Sequence, residues 1–482
     1  MDPVNPTVAS GETKEEHSKA KKVPLLINRN YALLFCGQGI SIIGDGVFTT
    51  TLSLWVVLTI ARGQTWSPLA LGGVLLSSLL PTLLLGSLAG VFVDRWVKRL
   101  TMLRMDAVRT ILIALLIPMT GIIPLPLALP ALVKLFIIYA VVFLSSTCSQ
   151  FFDPSSFALI GDIVPEEYQA RATGLLQTIS GVSYVLAPPL AVALFFGLGP
   201  QLAVLFNALS FACSFVAVIF MRVPPSTVSV VEGQKSSFFR EYFAGLRFIA
   251  QNRVLLIVLI GACLAVIPEG AQNSLGIFFY QQNLHAPLTL FGLVGTATGV
   301  GAIAGALGAA LFAQRLGVER VFSASLLLIG GLMIVYARTN NLVVALICIF
   351  LTGLLVAAIN VCVGPIALST TPKEMLGRIA ATATSTLSLA SLLSISLAGS
   401  LASTVLQHFQ ANLFGLSFST YDSIFAVTGL IAVLGGVYTI YHLWRPKQAE
   451  PEQVAKQTAG EPESTDNHQG IELQENVVSN PV

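Results

Sequence analysis

A single acidic residue lies deep in the first apolar stretch of the chain, where a charged side chain needs a specific reason. Asp45 belongs to the segment 41–46 (SIIGDG), fifteen residues beyond the polar region that ends at Asn30. At a rise of about 1.5 Å per residue, it would lie roughly 22 Å along a spanning helix. A carboxylate at that depth costs about 2.5–3.5 kcal/mol unless it faces a cavity or a partner, and burial disfavours its charged form. Asp45 is therefore a candidate for proton or cation coupling, and a structural hydrogen bond is the alternative.

The second half of the chain presents a matching acid. Glu269 lies seventeen residues beyond Asn252, between Pro268 and Gly270, which should weaken the helix locally. It is a second candidate for proton or substrate coupling. The alternative is that its helix ends early and leaves Glu269 at the outer interface.

Several other polar or aromatic side chains fall within apolar stretches and are candidates for the lining of a cavity. Such residues more often serve packing or hydrogen bonds between helices, and both interpretations stay open. The residues are Gln38, Tyr139, Tyr184, Asn207, Gln272, Asn273 and Asn360.

The composition indicates which elements must position these residues. Of 482 residues, 54% are hydrophobic and only 10% are charged, whereas a soluble globular protein has about 25% charged residues. Apolar runs of more than about 18 residues recur, which indicates a polytopic helical membrane protein. The six cysteines and five histidines show no metal-ligand spacing, so no metal or cofactor is expected. The net charge of +2 gives no sign of a nucleic-acid partner.

The apolar runs predict an all-α membrane protein with twelve transmembrane helices. These are expected near residues 31–60, 68–92, 103–124, 131–152, 171–197, 201–222, 254–280, 288–313, 320–337, 341–364, 378–406 and 421–444. The predicted domains are a polar tail (1–30), two six-helix halves (31–222 and 254–444), a linker with an amphipathic helix (223–253) and a disordered tail (445–482). With the N-terminus inside, only Arg62, Lys134 and Arg338 of the 26 Lys and Arg residues lie outside. Both termini are therefore expected in the cytoplasm.

Charged residues gather at the predicted cytoplasmic face. Asp106 and Arg109 are one helical turn apart and can pair. A charge network at this face would hold an inner gate closed in one state and break when the halves move. Ordinary interfacial charges that anchor the helices are the alternative. The candidates for this inner gate, together with the residues of the loop after span two, are Gly90, Asp94, Arg95, Lys98, Arg99, Asp106, Arg109, Asp153 and Arg171.

The chain repeats itself in one orientation. The segment Pro165–Arg171 recurs as Pro372–Arg378, with its Pro, Glu and Arg each 207 residues later, and Arg95 has a counterpart in Arg315, 220 residues later. Two parallel six-helix halves place a substrate site between them near the membrane midplane. Rocking of one half against the other would open that site to alternate sides.

Five stretches resemble the major facilitator superfamily. The loop Gly90-Val91-Phe92-Val93-Asp94-Arg95-Trp96-Val97-Lys98-Arg99 resembles its loop signature. The spacing of Gly174, Ser183, Ala187 and Pro188 is similar to the fifth-helix signature of its antiporters, whereas the arginine signature of proton antiporters in span four is absent. The segments 37–41 (GQGIS), 44–45 (GD) and 158–167 resemble the branch with macrolide efflux pumps and enterobactin exporters.

This resemblance implies efflux of a bulky, partly apolar compound, such as a drug, a macrolide or a siderophore-like molecule. The implied mechanism is proton antiport by alternating access in a bacterial inner membrane, and a monomer is expected. A lipid or lysolipid flippase on the same fold is an alternative. A remote alternative is an intramembrane enzyme that uses Asp45 and Glu269 as an acid pair. No nucleophile–base, metal or cofactor motif supports that alternative, so the chain is not expected to be an enzyme. The absence of a Gly-rich phosphate loop disfavours a nucleotide-driven pump.

Overall fold

The computed structural model describes residues 26–93, 95–121, 129–223, 238–372, 375–407, 409–413 and 416–444. Most of the predicted N-terminal tail (1–25) and the whole predicted C-terminal tail (445–482) lie outside the described residues. The same is true of Asp94 and Lys373.

Within these residues the chain forms long helices and one small hairpin. The helices are α1 (Arg29–Trp55), α2 (Ser67–Val93), α3 (Lys98–Ala114), α4 (Ala131–Ile163), α5 (Glu166–Leu198), α6 (Pro200–Ile219), α7 (Phe238–Gln251), α8 (Arg253–Gln282), α9 (Gly292–Leu316), α10 (Val318–Arg338), α11 (Leu342–Thr370), α12 (Leu376–Ser403) and α13 (Thr420–Leu443). Strands β1 (Ala411–Leu413) and β2 (Leu416–Phe418) pair antiparallel between α12 and α13. This hairpin is the one departure from the predicted all-α architecture in the described chain.

Eleven of the described helices are long and apolar enough to cross a membrane. The other two are α3, which has 17 residues and starts with Lys98 and Arg99, and the 14-residue α7. A 3-10 turn over Ile117–Thr120 extends α3, so this helix occupies the third expected span. Helix α4 continues to Ile163, eleven residues beyond the predicted end at 152.

The first helix of each half begins at the same kind of cap. The Asn28 side chain accepts a hydrogen bond from Tyr31 N, and the Asn252 side chain accepts from Val254 N and Leu255 N. An asparagine at this position satisfies amide groups that have no partner within the helix. The two caps fix where α1 and α8 start, and hence the depth of every later residue in them.

Helix α13 begins with a capping box and an ion pair, at the side of the bundle opposite to the starts of α1 and α8. Ser419 N donates to Asp422 Oδ1 at 2.6 Å, and the Ser419 side chain completes a capping box. Arg338 Nη1, at the end of α10, lies 3.2 Å from Asp422 Oδ2. These bonds fix the ends of α10 and α13 to each other.

The helices form two six-helix halves, α1–α6 and α8–α13. We call the side where α1 begins and α13 ends the basic face, and the opposite side the outer face. Near the outer face, Leu54 and Leu71 of the first half share one buried apolar cluster with Leu275 and Ala398 of the second half. The buried clusters nearer the basic face each stay within a single half. The halves therefore contact each other on the outer side, although a space of about 730 Å³ remains between their outermost ends.

Small residues allow this close approach. Gly295 of α9 lies against Pro188 of α5, where a Cβ would overlap the proline ring. On the other flank, Leu69 N of α2 donates to Ser403 Oγ of α12 at 3.2 Å. Toward the basic face, nothing lies within 4 Å of the Cβ position of Gly174 in α5. The contacts of α5 with α9 and of α2 with α12 lie in the outer parts of these helices, and we call the space between the halves on the basic-face side the cleft.

The helix predicted in the linker runs along the second half. Gly245 of α7 packs so closely on α12 that a Cβ would overlap Thr382. The hydroxyl groups of Tyr242 and Thr386 are 3.1 Å apart. Because Gly245 leaves no side chain in between, α7 packs directly on the basic-face end of α12.

Candidate functional site

An ion pair joins two helices of the first half. Arg109 Nη2 of α3 lies 3.0 Å from Asp45 Oδ2 of α1, and Arg109 Nη1 lies 4.0 Å from Asp106 Oδ1. The Arg109 side chain is 7% exposed and that of Asp106 is fully buried, whereas the Asp45 side chain is 43% exposed. One guanidinium thus stands between a buried carboxylate and an accessible one.

Aromatic rings complete the surroundings of Arg109. Its guanidinium carbon lies 3.9 Å from the ring centroid of Phe211 in α6 and 5.7 Å from that of Phe152 in α4. At these distances the ring quadrupoles attract the cation, and the attraction is larger away from water. Four helices therefore meet at Arg109, and a change in its ion pairing would alter the contacts between them.

Helix α6 approaches Asp45 closely because α1 has a glycine beside it. A Cβ on Gly44 would lie 2.9 Å from Asn207 Oδ1, so at this point the two helices pack without an intervening side chain. Asn207 is completely buried next to Asp45, and its Oδ1 accepts a hydrogen bond from Ser210 Oγ at 3.2 Å. Asn207 is therefore part of the packed surroundings of the acid.

The accessible side of Asp45 continues as a polar stripe. Thr49 is exposed and Ser53 is half-buried, and they follow Asp45 along α1 at intervals of four residues. Polar side chains within a spanning helix face the bundle interior or a water-filled cavity. The stripe therefore lines the cleft, and Asp45 is the member of the ion pair that water in the cleft reaches.

The second half contains a cavity of about 160 Å³ beside Glu269. Gln272 Nε2 donates to the Tyr336 hydroxyl at 3.3 Å, and Gln272 Oε1 is buried without a hydrogen-bond partner. Asn273 is exposed at the edge of the cavity. The rest of the lining is mainly apolar and comes from α8, α9, α10 and α11: Ala265, Pro268, Thr298, Ala302, Ile329, Met333, Cys348, Ile349, Thr352, Gly353 and Val356.

The charged residues of the basic face make separate local contacts. Lys98 Nζ pairs with Asp162 Oδ2 at 2.8 Å. Arg99 donates to Val218 O and Ile219 O at 3.1 and 2.7 Å, and so caps the end of α6. The ion pairs of Lys98, Arg109 and Arg338 each join residues of the same half.

Some of the predicted gate residues are buried within the first half, and others are exposed. Asp106 and Arg109 belong to the interior of the first half, not to a contact between halves, and Arg109 gains Asp45 as a further partner. Arg95, Asp153 and Arg171 are exposed. Gly90 lies in the last turn of α2, and Asp94 lies outside the described residues. Because the cleft is open at the basic face, a gate built from these exposed groups stays a prediction for the closed state.

The small residues of span five contact two different helices. Ser183 Oγ donates to Ile42 O at 3.0 Å, and a Cβ on Gly46 would lie 2.6 Å from Ala187 Cβ, so both residues pack on α1. Pro188 faces α9 at the contact described above. The small residues of span five thus have a packing role in this structure. Their link to antiport stays a prediction.

The polar candidates divide into packing and accessible residues. Gln38 Nε2 donates to Ser156 Oγ at 2.5 Å and Tyr139 donates to Ala70 O at 2.8 Å, so both tie helices of the first half together. Tyr184 is 70% exposed, and Asn360 is also exposed.

Comparison with known proteins agrees with this architecture. The model of the Major Facilitator Superfamily matches residues 34–279 and 258–481. An uncharacterized MFS-type transporter of Bacillus subtilis, YkuC, is 23% identical over 366 residues, which cover 73% of this chain and 80% of that protein. Macrolide efflux protein A of Streptococcus pyogenes is 23% identical over 227 residues, which are 47% of this chain and only 53% of that protein.

Solved structures share the fold at low sequence identity. The nucleoside transporter NupG superposes with a TM-score of 0.64 at 12% identity, over 87% of this chain and all of that chain. A bacterial homologue of the iron transporter ferroportin in an inward-facing state gives 0.64 at 16% identity, over 86% and 99%. With the family model matching both halves, the chain belongs to the Major Facilitator Superfamily and is a multi-pass membrane transporter, not an enzyme.

Proposed function

We propose that this transporter exports bulky amphiphilic small molecules from the bacterial cytoplasm by alternating access, in exchange for protons. The observation that carries the proposal is the Asp45–Arg109 ion pair, which has its acid in the open cleft and its base buried among four helices. The basic face, which carries most of the Lys and Arg residues, is then cytoplasmic. In this conformation the cleft would take up substrate from the cytoplasm.

Proton coupling follows from the two carboxylates that share Arg109. When Asp45 accepts a proton its negative charge disappears, and the guanidinium keeps only Asp106 as a charged partner, now 4.0 Å away. Arg109 then moves toward Asp106, and the contact that joins α1 to α3 is released. Loss of the proton restores that contact. The protonation of one side chain thereby changes how two helices of the first half are held together.

The substrate class is supported by the cavity and by the relatives. The walls beside Glu269 are mostly apolar and belong to the second half, opposite the coupling pair. Macrolide efflux protein A, which matches part of the chain, is by its name an exporter of large, partly apolar molecules. Protein monomers suffice for this mechanism because each chain contains both halves.

The test uses everted membrane vesicles with an imposed proton gradient. Accumulation of macrolides, dyes, catecholates and lysolipids is followed for wild type and Asp45→Asn, with Glu167→Gln, an exposed acid at the start of α5, as the matched control. We expect gradient-dependent uptake by wild type and control, reduced at least tenfold in Asp45→Asn. Uptake that is independent of the gradient and equal in all three proteins would refute proton coupling.

A lysolipid flippase is the second candidate, favoured by an apolar groove near the basic face. The groove measures about 320 Å³ and is lined by Ile249 of α7 together with apolar residues of α8, α11 and α12. An acyl chain fits such a surface better than a drug with many polar groups does. Movement of labelled lysolipid, without uptake of any drug in the panel, would select this function.

A further inference from the structure

Fixed sequence offsets align the two halves residue by residue around their acids. Asn28-Arg29 and Asn252-Arg253 stand at the two equivalent caps, 224 residues apart, and the same offset brings Asp45 onto Glu269. The neighbouring glycines obey the same rule. Gly46 packs on Ala187 and Gly270 packs on Ser394, which are equivalent positions of α5 and α12 in the 207-residue repeat. Glu269 is therefore the structural counterpart of Asp45.

The arginine has no counterpart. Helices α3 and α10 start 220 residues apart, the offset that also relates Arg95 to Arg315. At this offset, Arg109 corresponds to Ile329 and Asp106 to Leu326, and both replacements are buried. The structure supports the assignment independently, because Ile329 lines the same cavity as Glu269. The second half has thus kept the acid and lost the cation that pairs with it.

The cavity takes the place of the missing guanidinium. Among the described residues, no cationic side chain lies within 4.0 Å of the Glu269 carboxylate. Its neighbour Gln272 presents a buried Oε1 with no donor. An acid and an amide oxygen that lack partners at one apolar cavity are both complementary to a positively charged group with N–H donors.

We infer that the cavity beside Glu269 binds the positively charged head of an organic cation, whose ammonium or guanidinium group occupies the place that Arg109 has in the first half. The inference rests on the proposed export function and names the class of its substrate. The head pairs with the Glu269 carboxylate and, where it has an N–H, donates to Gln272 Oε1. The apolar remainder of the molecule lies against Met333, Ile349 and the rest of the apolar wall.

The chemistry of the wall favours an organic cation over a metal ion. A hard metal ion requires about six oxygen ligands, whereas the surface of this cavity is mainly apolar. No group of three or more His, Cys, Asp or Glu side chains suited to a metal occurs in the described chain. A cation with methyl or methylene groups around its charge satisfies both the carboxylate and the aliphatic wall. Tyr336 adds an aromatic ring that can attract the same charge.

The experiment is equilibrium binding to the purified full-length protein in nanodiscs. The probe is benzyltrimethylammonium, whose charge does not depend on pH, and the comparison ligand is its neutral carbon isostere, neopentylbenzene. The proteins are wild type, Glu269→Gln, Ile329→Arg and the control Glu167→Gln, which removes an exposed acid outside the cavity. Ile329→Arg supplies an internal cation to Glu269 and fills the cavity, as Arg109 does in the first half.

We expect wild type and Glu167→Gln to bind the cation at least tenfold more tightly than the neutral isostere. Glu269→Gln should lose this tenfold preference while its affinity for the isostere is unchanged, and Ile329→Arg should bind neither ligand. Equal binding of the cation by wild type and Glu269→Gln would overturn the inference. So would equal affinity of wild type for the two ligands.

This assay is independent of transport, so the two proposals can fail separately. Cation binding that depends on Glu269, without gradient-driven export in vesicles, would refute the proposed function and leave the binding site standing. The reverse result would be gradient-driven export of an uncharged substrate, unaffected by Glu269→Gln, in a protein that shows no preference for the cation. That result would refute the binding site and leave the proposed function standing.

Discussion

Replacement of Arg109 by methionine should destabilise the first half strongly. The substitution leaves the fully buried Asp106 without its counter-ion and removes the cation from the Phe211 ring, 3.9 Å away. Removal of one partner from a buried ion pair costs about 3–5 kcal/mol. For a domain of this size, each kcal/mol lowers Tm by about 2–4 °C, so a decrease of about 6–20 °C is expected. The assay is thermal unfolding in nanodiscs, followed by the fluorescence of the four tryptophans.

The second half suggests the control for this experiment. There the equivalent positions are occupied by Leu326 and Ile329, which are buried and carry no charge. The double variant Arg109→Met with Asp106→Leu should therefore recover at least half of the lost stability, because it removes the uncompensated carboxylate. An Arg109→Met protein that melts within about 2 °C of wild type, or a double variant no more stable than the single one, would show that Arg109 does not compensate a buried charge.

Three further outcomes are expected. Asp422→Ala removes the capping box and the ion pair at the start of α13 and should cost about 1–2 kcal/mol, whereas Asp162→Ala, in an exposed pair, should cost less than about 1 kcal/mol; equal melting temperatures would contradict this. In a protein without its six native cysteines, oxidation of Leu69→Cys/Ser403→Cys should lock the outer side, stop transport and leave ligand binding intact; full transport after complete oxidation would show that this contact need not open. Green fluorescent protein fused to the C-terminus should fluoresce in bacteria, and periplasmic alkaline phosphatase at the same point should be inactive; active phosphatase would reverse the assigned sidedness.

The helical frame could be predicted from the sequence because hydrocarbon thickness demands apolar runs of about 20 residues. The asparagine caps and the repeat around Pro165 and Pro372 are local signals, so they could also be found without coordinates. The sequence does not define the end of the eleventh span, which is predicted at residue 406. Apolar residues continue beyond Ser403, whereas the helix ends there and a hairpin follows. Hydrophobicity alone does not distinguish a final helical turn from an apolar loop.

The pairing of Asp45 with Arg109 could not be predicted in the same way. The two residues are 64 positions apart on helices that are not joined directly, and spacing along one helix says nothing about which faces of two helices meet. The sequence places Arg109 with the charged residues that gather at the predicted cytoplasmic face. Its long side chain nevertheless reaches into the bundle, where Phe211 and Phe152 receive it. The internal repeat contained a usable signal, since Arg109 aligns with Ile329 beside the second acid.

The close packing of α9 on α11 has a consequence for selectivity. A Cβ on Gly301 would overlap Phe350 O, and a Cβ on Gly353 would lie 2.5 Å from Thr298 O, so the two backbones touch directly. Gly353 and Thr298 both line the cavity beside Glu269. A wall made of backbone cannot yield by rotamer changes, whereas Met333 on the adjoining wall can. The cavity should therefore act as a sieve, with a sharp upper limit on the size of the group beside the acid and wide tolerance for the rest of the molecule.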